Sequence, residues 1–247
     1  MPKWILGLLI VVTTFALLAS IAVLRARQAS PRAELDTTTS ASGTIVAAAP
    51  GTNAAQVGPR DASGKRVLVP RPGLEGYAIP AFSLVDQDGK PVDESVLEGE
   101  ITVVAFVFTN CQLACPAITA NMKIVFSDLE DTSVRFLSIS VDPEHDTPEV
   151  LQAYADRMSI DTSRWLFLTG DDGEATRVVE ESMQFEISDD PDDANIITLE
   201  DGSTMRNIRH PIKLFLVGPD RQILDFCAPT LRAERERFAA LARKAAE

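Results

Sequence analysis

The stretch ITVVAFVFTNCQLACPAIT, residues 101–119, joins a run of apolar residues to a pair of cysteines. The run, residues 101–108, is uncharged and rich in β-branched and aromatic side chains, which is typical of a strand buried on both faces. Apolar residues then recur at helical spacing, at Ile118, Met122, Val125 and Leu129. Cys111 and Cys115 therefore lie where a central strand ends and a helix begins.

Strands and helices alternate on both sides of this stretch. Upstream, a hairpin over 81–92 turns at Asp88 and Gly89 and leads into a helical turn. Downstream the pattern predicts strand 134–141, a helix capped by Thr147, strand 165–168, a helix over 173–182, an acidic loop, an antiparallel hairpin beginning with strand 212–217, and an amphipathic helix. This order predicts an α/β domain over 77–247, with the mixed central sheet and flanking helices of a thioredoxin-like fold.

The N-terminus predicts a membrane anchor. Residues 4–24 contain no charged side chain and as a helix would span about 30 Å, the hydrocarbon thickness of a bilayer. We expect residues 1–27 to form a single transmembrane helix; a cleaved signal peptide is the alternative, but its apolar region is usually shorter. Three arginines follow the run, yet a long acidic domain can be translocated regardless of flanking charge. Without an Arg/Ser-rich transit segment before the run, a bacterial inner membrane is favoured over an organelle.

Residues 28–76 are dominated by Ala, Thr, Ser, Gly and Pro and show no sustained apolar period. Such a composition cannot bury enough apolar surface to offset the conformational entropy of ordering the chain. We therefore expect a flexible tether between the anchor and the domain.

The chain of 247 residues has a net charge of −13, and the charge is unevenly distributed. Residues 1–76 hold 8 Lys or Arg against 4 Asp or Glu, whereas residues 77–247 hold 15 against 32. An acidic domain repels phosphate backbones, which argues against a nucleic-acid binder. Three cysteines are too few for a disulfide-stapled scaffold.

The predicted topology brings a histidine to the two cysteines. Parallel strands 101–108 and 134–141 end at the same edge of the sheet, where ligands bind in open α/β folds. Strand 212–217 should run antiparallel to them, so His210, just before it, lies at that edge unless it is an ordinary core or surface histidine. Two thiolates and an imidazole form a soft ligand set that selects Cu(I) and can accept Cu(II), whereas structural zinc needs four ligands. We predict that Cys111, Cys115 and His210 bind one copper ion per chain, with the thiol pKa lowered by the helix N-terminus.

Three other residues lie in segments that the predicted topology brings near this site or its sheet. Asp142 follows strand 134–141 and is interpreted as a group that supports the ligands without binding the metal. His145, in the same loop, is interpreted as a solvated histidine rather than an accessory ligand. Cys227 is interpreted as a buried strand cysteine, placed at the far end of an antiparallel partner and away from the metal.

The segments FTNCQLACPAITANM, SISVDPEHDTPEVLQAYA, WLFLTG and RHPIKLFLVGPDRQIL resemble, in this order, the blocks of the SCO/SenC family of copper-binding assembly factors for cytochrome c oxidase. The resemblance covers about residues 79–240. It implies a membrane-anchored thioredoxin-like protein on the periplasmic side, with copper ligands at Cys111, Cys115 and His210 and the family's acidic residue at Asp142. Its implied task is to deliver copper to the binuclear site of the oxidase's copper-bearing subunit, or to prepare that site's cysteines; other copper carriers are further candidate partners.

Two positions depart from the family pattern. Gln112 replaces the usual proline after the first cysteine, which removes a rigidifying residue from the loop. His145 stands where the family more often has arginine.

Two enzymatic functions compete with a metallochaperone that is not an enzyme. A thiol-disulfide oxidoreductase would need only the cysteine pair, although its usual C-x-x-C spacing is one residue shorter. Pro211 keeps this alternative open, because it falls where thioredoxin-like folds place a cis-proline facing their cysteines. A peroxide-reducing enzyme fits less well, since Thr109 lies two residues before Cys111 rather than three.

Overall fold

The computed structural model describes residues 54–112 and 114–247. The strands are β1 (Gln56–Arg60), β2 (Arg66–Val69), β3 (Ser83–Asp86), β4 (Pro91–Asp93), β5 (Thr102–Val107), β6 (Arg135–Ser140), β7 (Trp165–Thr169), β8 (Ser188–Asp189), β9 (Ile197–Thr198), β10 (Thr204–Met205), β11 (Ile208–Arg209), β12 (Leu214–Val217) and β13 (Ile223–Cys227). The α-helices are α1 (Ala114–Asp128), α2 (Pro148–Arg157), α3 (Asp172–Met183) and α4 (Arg232–Ala246). Short 3₁₀ helices cover Glu94–Leu97 and Asp193–Asn195.

A seven-stranded mixed sheet forms the centre of the domain, in the order β13-β12-β5-β6-β7-β3-β4. Strands β5, β6 and β7 are parallel, while β12 pairs antiparallel with β5 and β3 pairs antiparallel with β7. All six residues of β5 are buried, as the apolar run predicts. The predicted α/β class, mixed sheet and thioredoxin-like order of elements are confirmed within the described residues.

Local sequence signals placed most elements correctly. The β3–β4 hairpin turns where Asp88 and Gly89 were expected, and Gly89 takes the positive φ of 76° that favours glycine. Helix α2 begins with Pro148, and Thr147 is its N-cap, accepting a hydrogen bond from the Val150 N–H. The strand expected over 212–217 starts later, at Leu214.

The acidic loop expected before residue 202 is more ordered than its composition indicated. It contributes to two small antiparallel sheets, one of β8 with β11 and one of β9 with β10. Each of these strands has two residues, which is too short for an alternating pattern to be recognised in the sequence.

Residues 54–76, which we call the N-terminal arm, are folded onto the domain, so the predicted tether over 28–76 was wrong for this part. Strands β1 and β2 form a hairpin, and the Arg71 N–H donates to the Leu224 carbonyl of the edge strand β13. The Ala55 N–H donates to the buried carboxylate of Asp225, which also pairs with Arg71 and Arg237. Backbone pairing and a buried ion cluster hold the arm, and neither depends on the apolar periodicity whose absence suggested a tether.

None of the helices within residues 54–112 and 114–247 is long and apolar enough to cross a membrane. The predicted anchor over 1–27, and the tether as far as residue 53, lie outside the described residues.

Candidate metal centre

Cys111 and Cys115 lie between the end of β5 and the first turn of α1. Cys111 precedes the helix, and its N–H donates to the Phe108 carbonyl at 3.4 Å. The Cys115 N–H, within the first turn, donates to the Cys111 Sγ at 3.3 Å. Cys111 thus caps the helix through its sulfur, and the positive end of the helix is directed at this atom.

His210 lies close to the cysteine pair because the strand order is the one that the sequence predicted. It precedes β12, and its Nε2 lies 3.4 Å from the Cys115 Sγ. The Nδ1 lies 3.3 Å from the Pro211 carbonyl oxygen, which can only accept a hydrogen bond, so Nδ1 carries the proton. The Nε2 lone pair is therefore directed at the sulfur, in the form that binds metals.

All three side chains are shielded from solvent. Cys111 is 5% exposed, Cys115 is 0% exposed and His210 is 7% exposed. The edge of the Phe108 ring meets the imidazole at a centroid distance of 5.7 Å. Both cysteines are free thiols, so the arrangement describes the reduced pair.

The expected lowering of the thiol pKa does not apply to Cys115. Its hydrogen bond with the Cys111 side chain raises the pKa of Cys115 most, and burial and the charge of Cys111 raise it further. Two sulfurs this close cannot both ionise easily, so Cys115 keeps its proton in the metal-free pair.

Asp142 and His145 form a separate pair beside the cysteines. Asp142 is buried at the end of β6, and its Oδ1 lies 2.8 Å from the His145 Nδ1. This hydrogen bond raises the pKa of His145 despite partial burial. The Oδ2 of Asp142 is buried, and no described residue donates a hydrogen bond to it. The bond to His145 ties Asp142 to the loop that follows β6.

Asp146 is a residue of this site that the sequence did not single out. It is fully buried and accepts hydrogen bonds from the Thr109 N–H, the Thr109 hydroxyl and the Ser140 hydroxyl. Since Thr109 lies two residues before Cys111, this carboxylate holds the cysteine loop against the end of β6. The only sequence signal is its place before the Thr147 N-cap, which suggests a loop residue and no role in the site.

Cys227 is buried, as predicted, but its placement at the far edge was wrong. Strand β13 is antiparallel to β12, which is antiparallel to β5, so β13 ends at the same edge as β5. Cys227 pairs with Leu214, with β12 between it and β5. Burial raises the pKa of Cys227 to about 12, so this thiol is neutral.

Two thiols and an imidazole, the donors of the three predicted ligands, have the chemistry that fits a soft metal ion. Within residues 54–112 and 114–247, no three or more His, Cys, Asp and Glu side chains form a ready metal-binding cluster. Binding through both sulfurs requires loss of the Cys115 proton. The described residues contain no cis peptide bond, so the expected cis-proline at Pro211 is not found.

Comparison with known proteins gives concordant matches. The SCO1/SenC family model matches residues 73–246. The SCO1 protein homolog of Bacillus subtilis is 32% identical over 151 residues, which cover 60% of this chain and 72% of that protein. Matches to SCO2-like proteins of Rickettsia typhi and Rickettsia prowazekii span only 37% and 56% of those proteins.

Two solved structures are similar throughout the domain. BsSco, a member of the Sco family of cytochrome c oxidase assembly proteins in which a disulfide switch was identified, has a TM-score of 0.55 at 28% identity, covering 69% of this chain and 94% of that one. The copper-bound structure of Bradyrhizobium japonicum ScoI has a TM-score of 0.55 at 25% identity, covering 68% of this chain and 98% of that one.

The family match covers well over half of the chain and includes both cysteines and His210. This chain belongs to the SCO1/SenC family.

Proposed function

We propose that this protein is a copper metallochaperone for the assembly of cytochrome c oxidase, with one copper ion held by Cys111, Cys115 and His210. The observation that carries the proposal is the approach of the His210 Nε2 to within 3.4 Å of the Cys115 Sγ, from a residue 95 positions away in the chain. A cysteine pair used only for disulfide exchange does not require that imidazole. The copper-bound ScoI supports the same cargo for this chain.

Each ligand has a defined part in holding the cargo. Cys111, whose sulfur accepts the Cys115 N–H at the helix N-terminus, would provide the first sulfur, and Cys115 would provide the second by releasing its proton. His210 would bind through Nε2, in the neutral tautomer whose Nδ1 proton faces the Pro211 carbonyl. Two thiolates are sufficient for Cu(I), while the imidazole adds a donor that suits Cu(II).

The proposal includes a location and a partner. Residues 1–27 would anchor the chain in the bacterial inner membrane, with the domain on the periplasmic side. The copper-bearing subunit of the oxidase would receive the metal, or have its cysteines prepared for it. The naming of BsSco as an oxidase assembly protein supports this partner.

The proposal is tested by anaerobic copper titration of the reduced protein and of a His210→Ala variant. We expect one copper per chain and, in the variant, a loss of at least about 10–100-fold in Cu(II) affinity with a smaller loss for Cu(I). Lys213→Ala is a matched control. Lys213 is half-buried on the same segment as His210, but its ammonium lies over the Phe226 ring and is not one of the proposed ligands. Unchanged affinity for both ions in the His210→Ala variant would remove His210 from the ligand set.

A thiol-disulfide oxidoreductase is the second candidate, favoured by the contact between the two cysteines. It predicts that His210→Ala leaves disulfide exchange with a peptide substrate and assembly of the oxidase nearly unchanged. The chaperone predicts that exchange persists while the oxidase loses its copper. Oxidase copper content in cells that carry His210→Ala therefore separates the two functions.

A further inference from the structure

A groove of about 630 Å³ opens beside the cysteine loop. One end is formed by Thr109 and Asn110, and the next residue in the chain is Cys111. The outer face of α2 forms one side, and the turn that joins β9 to β10 forms the other. We call this feature the α2 groove.

The α2 groove has apolar side chains on both of its sides. Val150, which is 37% exposed, and Ala153 lie on the solvent face of α2, opposite the half-buried Leu199. The turn that carries Leu199 lies beside the cysteine loop, because the Gln112 side chain donates to the Thr198 carbonyl at 3.5 Å.

The rim of the α2 groove is predominantly acidic. Glu144 on one side and Glu200 and Asp201 on the other are exposed carboxylates. Two cationic or basic side chains also belong to the described lining: Arg157, which extends over the Tyr154 ring at 5.3 Å from its centroid, and the half-buried His145, which is hydrogen-bonded to Asp142.

We propose that the α2 groove binds an extended peptide segment of a partner protein, in which lysine or arginine flanks a cysteine, and that it presents this cysteine to Cys111. The cationic side chains would pair with the rim carboxylates, and alternate apolar side chains would contact Val150, Ala153 and Leu199. The inference rests on the proposed function, because a partner that takes up copper from the site, or a disulfide that the pair reduces, must bring its sulfur close to Cys111.

The test measures disulfide exchange at Cys111 in the full-length Cys115→Ser chain, in detergent and without copper. The probes are two peptides of equal length with a single cysteine, activated as a mixed disulfide with thionitrobenzoate and flanked either by lysines or by glutamates. The Cys111 thiolate attacks the peptide sulfur, a protein–peptide disulfide forms, the old disulfide breaks, and thionitrobenzoate leaves as a coloured thiolate. A variant with both Cys111 and Cys115 replaced by serine measures any reaction of the buried Cys227.

The decisive comparison neutralises two rim carboxylates, in the variant Glu144→Gln/Glu200→Gln. Asp201 is retained because it accepts bonds from Ser203 that shape the turn. The matched control is Glu98→Gln/Glu130→Gln, which removes two exposed carboxylates near the opposite edge of the sheet. We expect the lysine peptide to react faster than the glutamate peptide, and the rim variant to reduce this ratio at least about threefold while the control changes it by less.

Ala153→Trp, which fills the α2 groove, should slow the lysine peptide, whereas Ala240→Trp on the exposed face of α4 should not. An equal effect of the rim and control pairs would show general attraction by an acidic protein and overturn the proposal. The proposal would also be overturned if the glutamate peptide reacted faster than the lysine peptide. The same holds if neither the rim variant nor Ala153→Trp changed the rate of the lysine peptide. None of these outcomes involves copper, so the α2 groove can fail while the copper site stands.

Discussion

At the scale of single residues, Asp146 links the stability of the domain to the position of the cysteine loop. Burial raises the pKa of Asp146 from 3.8 to about 6, against the opposing effect of the Ser140 and Thr109 hydrogen bonds. The folded state therefore holds a proton on this group more tightly than the unfolded state does. The resulting stability is fully present below about pH 4 and is lost as the pH rises through 6.

We predict that the free energy of unfolding of the metal-free protein, relative to that of an Asp146→Asn variant, falls by up to about 3 kcal/mol between about pH 4 and pH 8. The asparagine has no proton to lose, so the variant lacks this pH dependence. Urea unfolding of the reduced protein over this range measures the difference. Asp161→Asn is the control. Bonds from Ser163 lower the pKa of Asp161, so its contribution to the free energy of unfolding changes with pH in the opposite direction to that of Asp146. A difference that does not change with pH contradicts the prediction.

Cys227 gives a second prediction at this scale. Its thiol is fully buried and neutral, and β12 separates its strand from β5. A Cys227→Ser variant should bind one copper ion with unchanged affinity, while a hydroxyl in an apolar position lowers the free energy of unfolding by about 1–3 kcal/mol. Titration and urea unfolding of the same preparation test both parts. Loss of copper binding by a folded variant would make Cys227 a fourth ligand.

At the scale of elements, the loop between β5 and α1 sets the redox chemistry of the pair. The Cys111 sulfur is held at the helix N-terminus by the Cys115 N–H, so the two thiols can close a disulfide with a small change of the loop. Copper binding requires both as thiolates. We predict that oxidation of the pair abolishes Cu(I) binding and that a reductant restores it, as measured by competition with a chromophoric Cu(I) chelator. Full affinity in the oxidised protein would exclude both sulfurs as ligands.

The elements differ in how far the sequence could predict them. Strand β5 and helices α1 and α2 have strong local signals, namely a continuous apolar run, helical spacing and the Thr147 cap. Antiparallel pairing of β12 with β5 was enough to bring His210 to the cysteines. The pairs β8–β11 and β9–β10 depend on non-local hydrogen bonds between two-residue strands, which leave no periodicity to read.

The site was predicted less completely for the same reason. The proposed ligand set follows from side-chain chemistry and strand order, whereas the protonation of a buried group depends on neighbours from other segments. The pKa of Cys115 rises because of Cys111, and that of Asp146 because of burial. Neither environment can be read from spacing alone.

At the scale of the whole molecule, the N-terminal arm extends the folded domain to residue 54, although the composition of residues 28–76 indicates a tether. The arm supplies Arg71, whose guanidinium pairs with the fully buried Asp225 and lies 4.5 Å from the centroid of the Phe226 ring. Its backbone also bonds to β13, which is the edge strand of the central sheet. The arm thus completes the charge balance of Asp225 and adds a backbone hydrogen bond to β13, the strand beside the one that His210 precedes.

We predict that a chain starting at residue 77 is less stable than one starting at residue 54 by at least about 3 kcal/mol. Without the arm, Asp225 keeps only Arg237 of its two arginine partners, and removing one partner of a buried charge typically costs about 3–5 kcal/mol. Urea unfolding of the two reduced, metal-free chains measures the difference. Within the longer chain, Arg71→Ala should reproduce much of the loss, whereas Arg60→Ala, whose exposed guanidinium bonds to the carbonyls of Gly64 and Glu247, should cost less than about 1 kcal/mol. Equal stability of the two chains would show that the arm is an accessory to the fold, and residues 54–76 would then belong functionally to the tether.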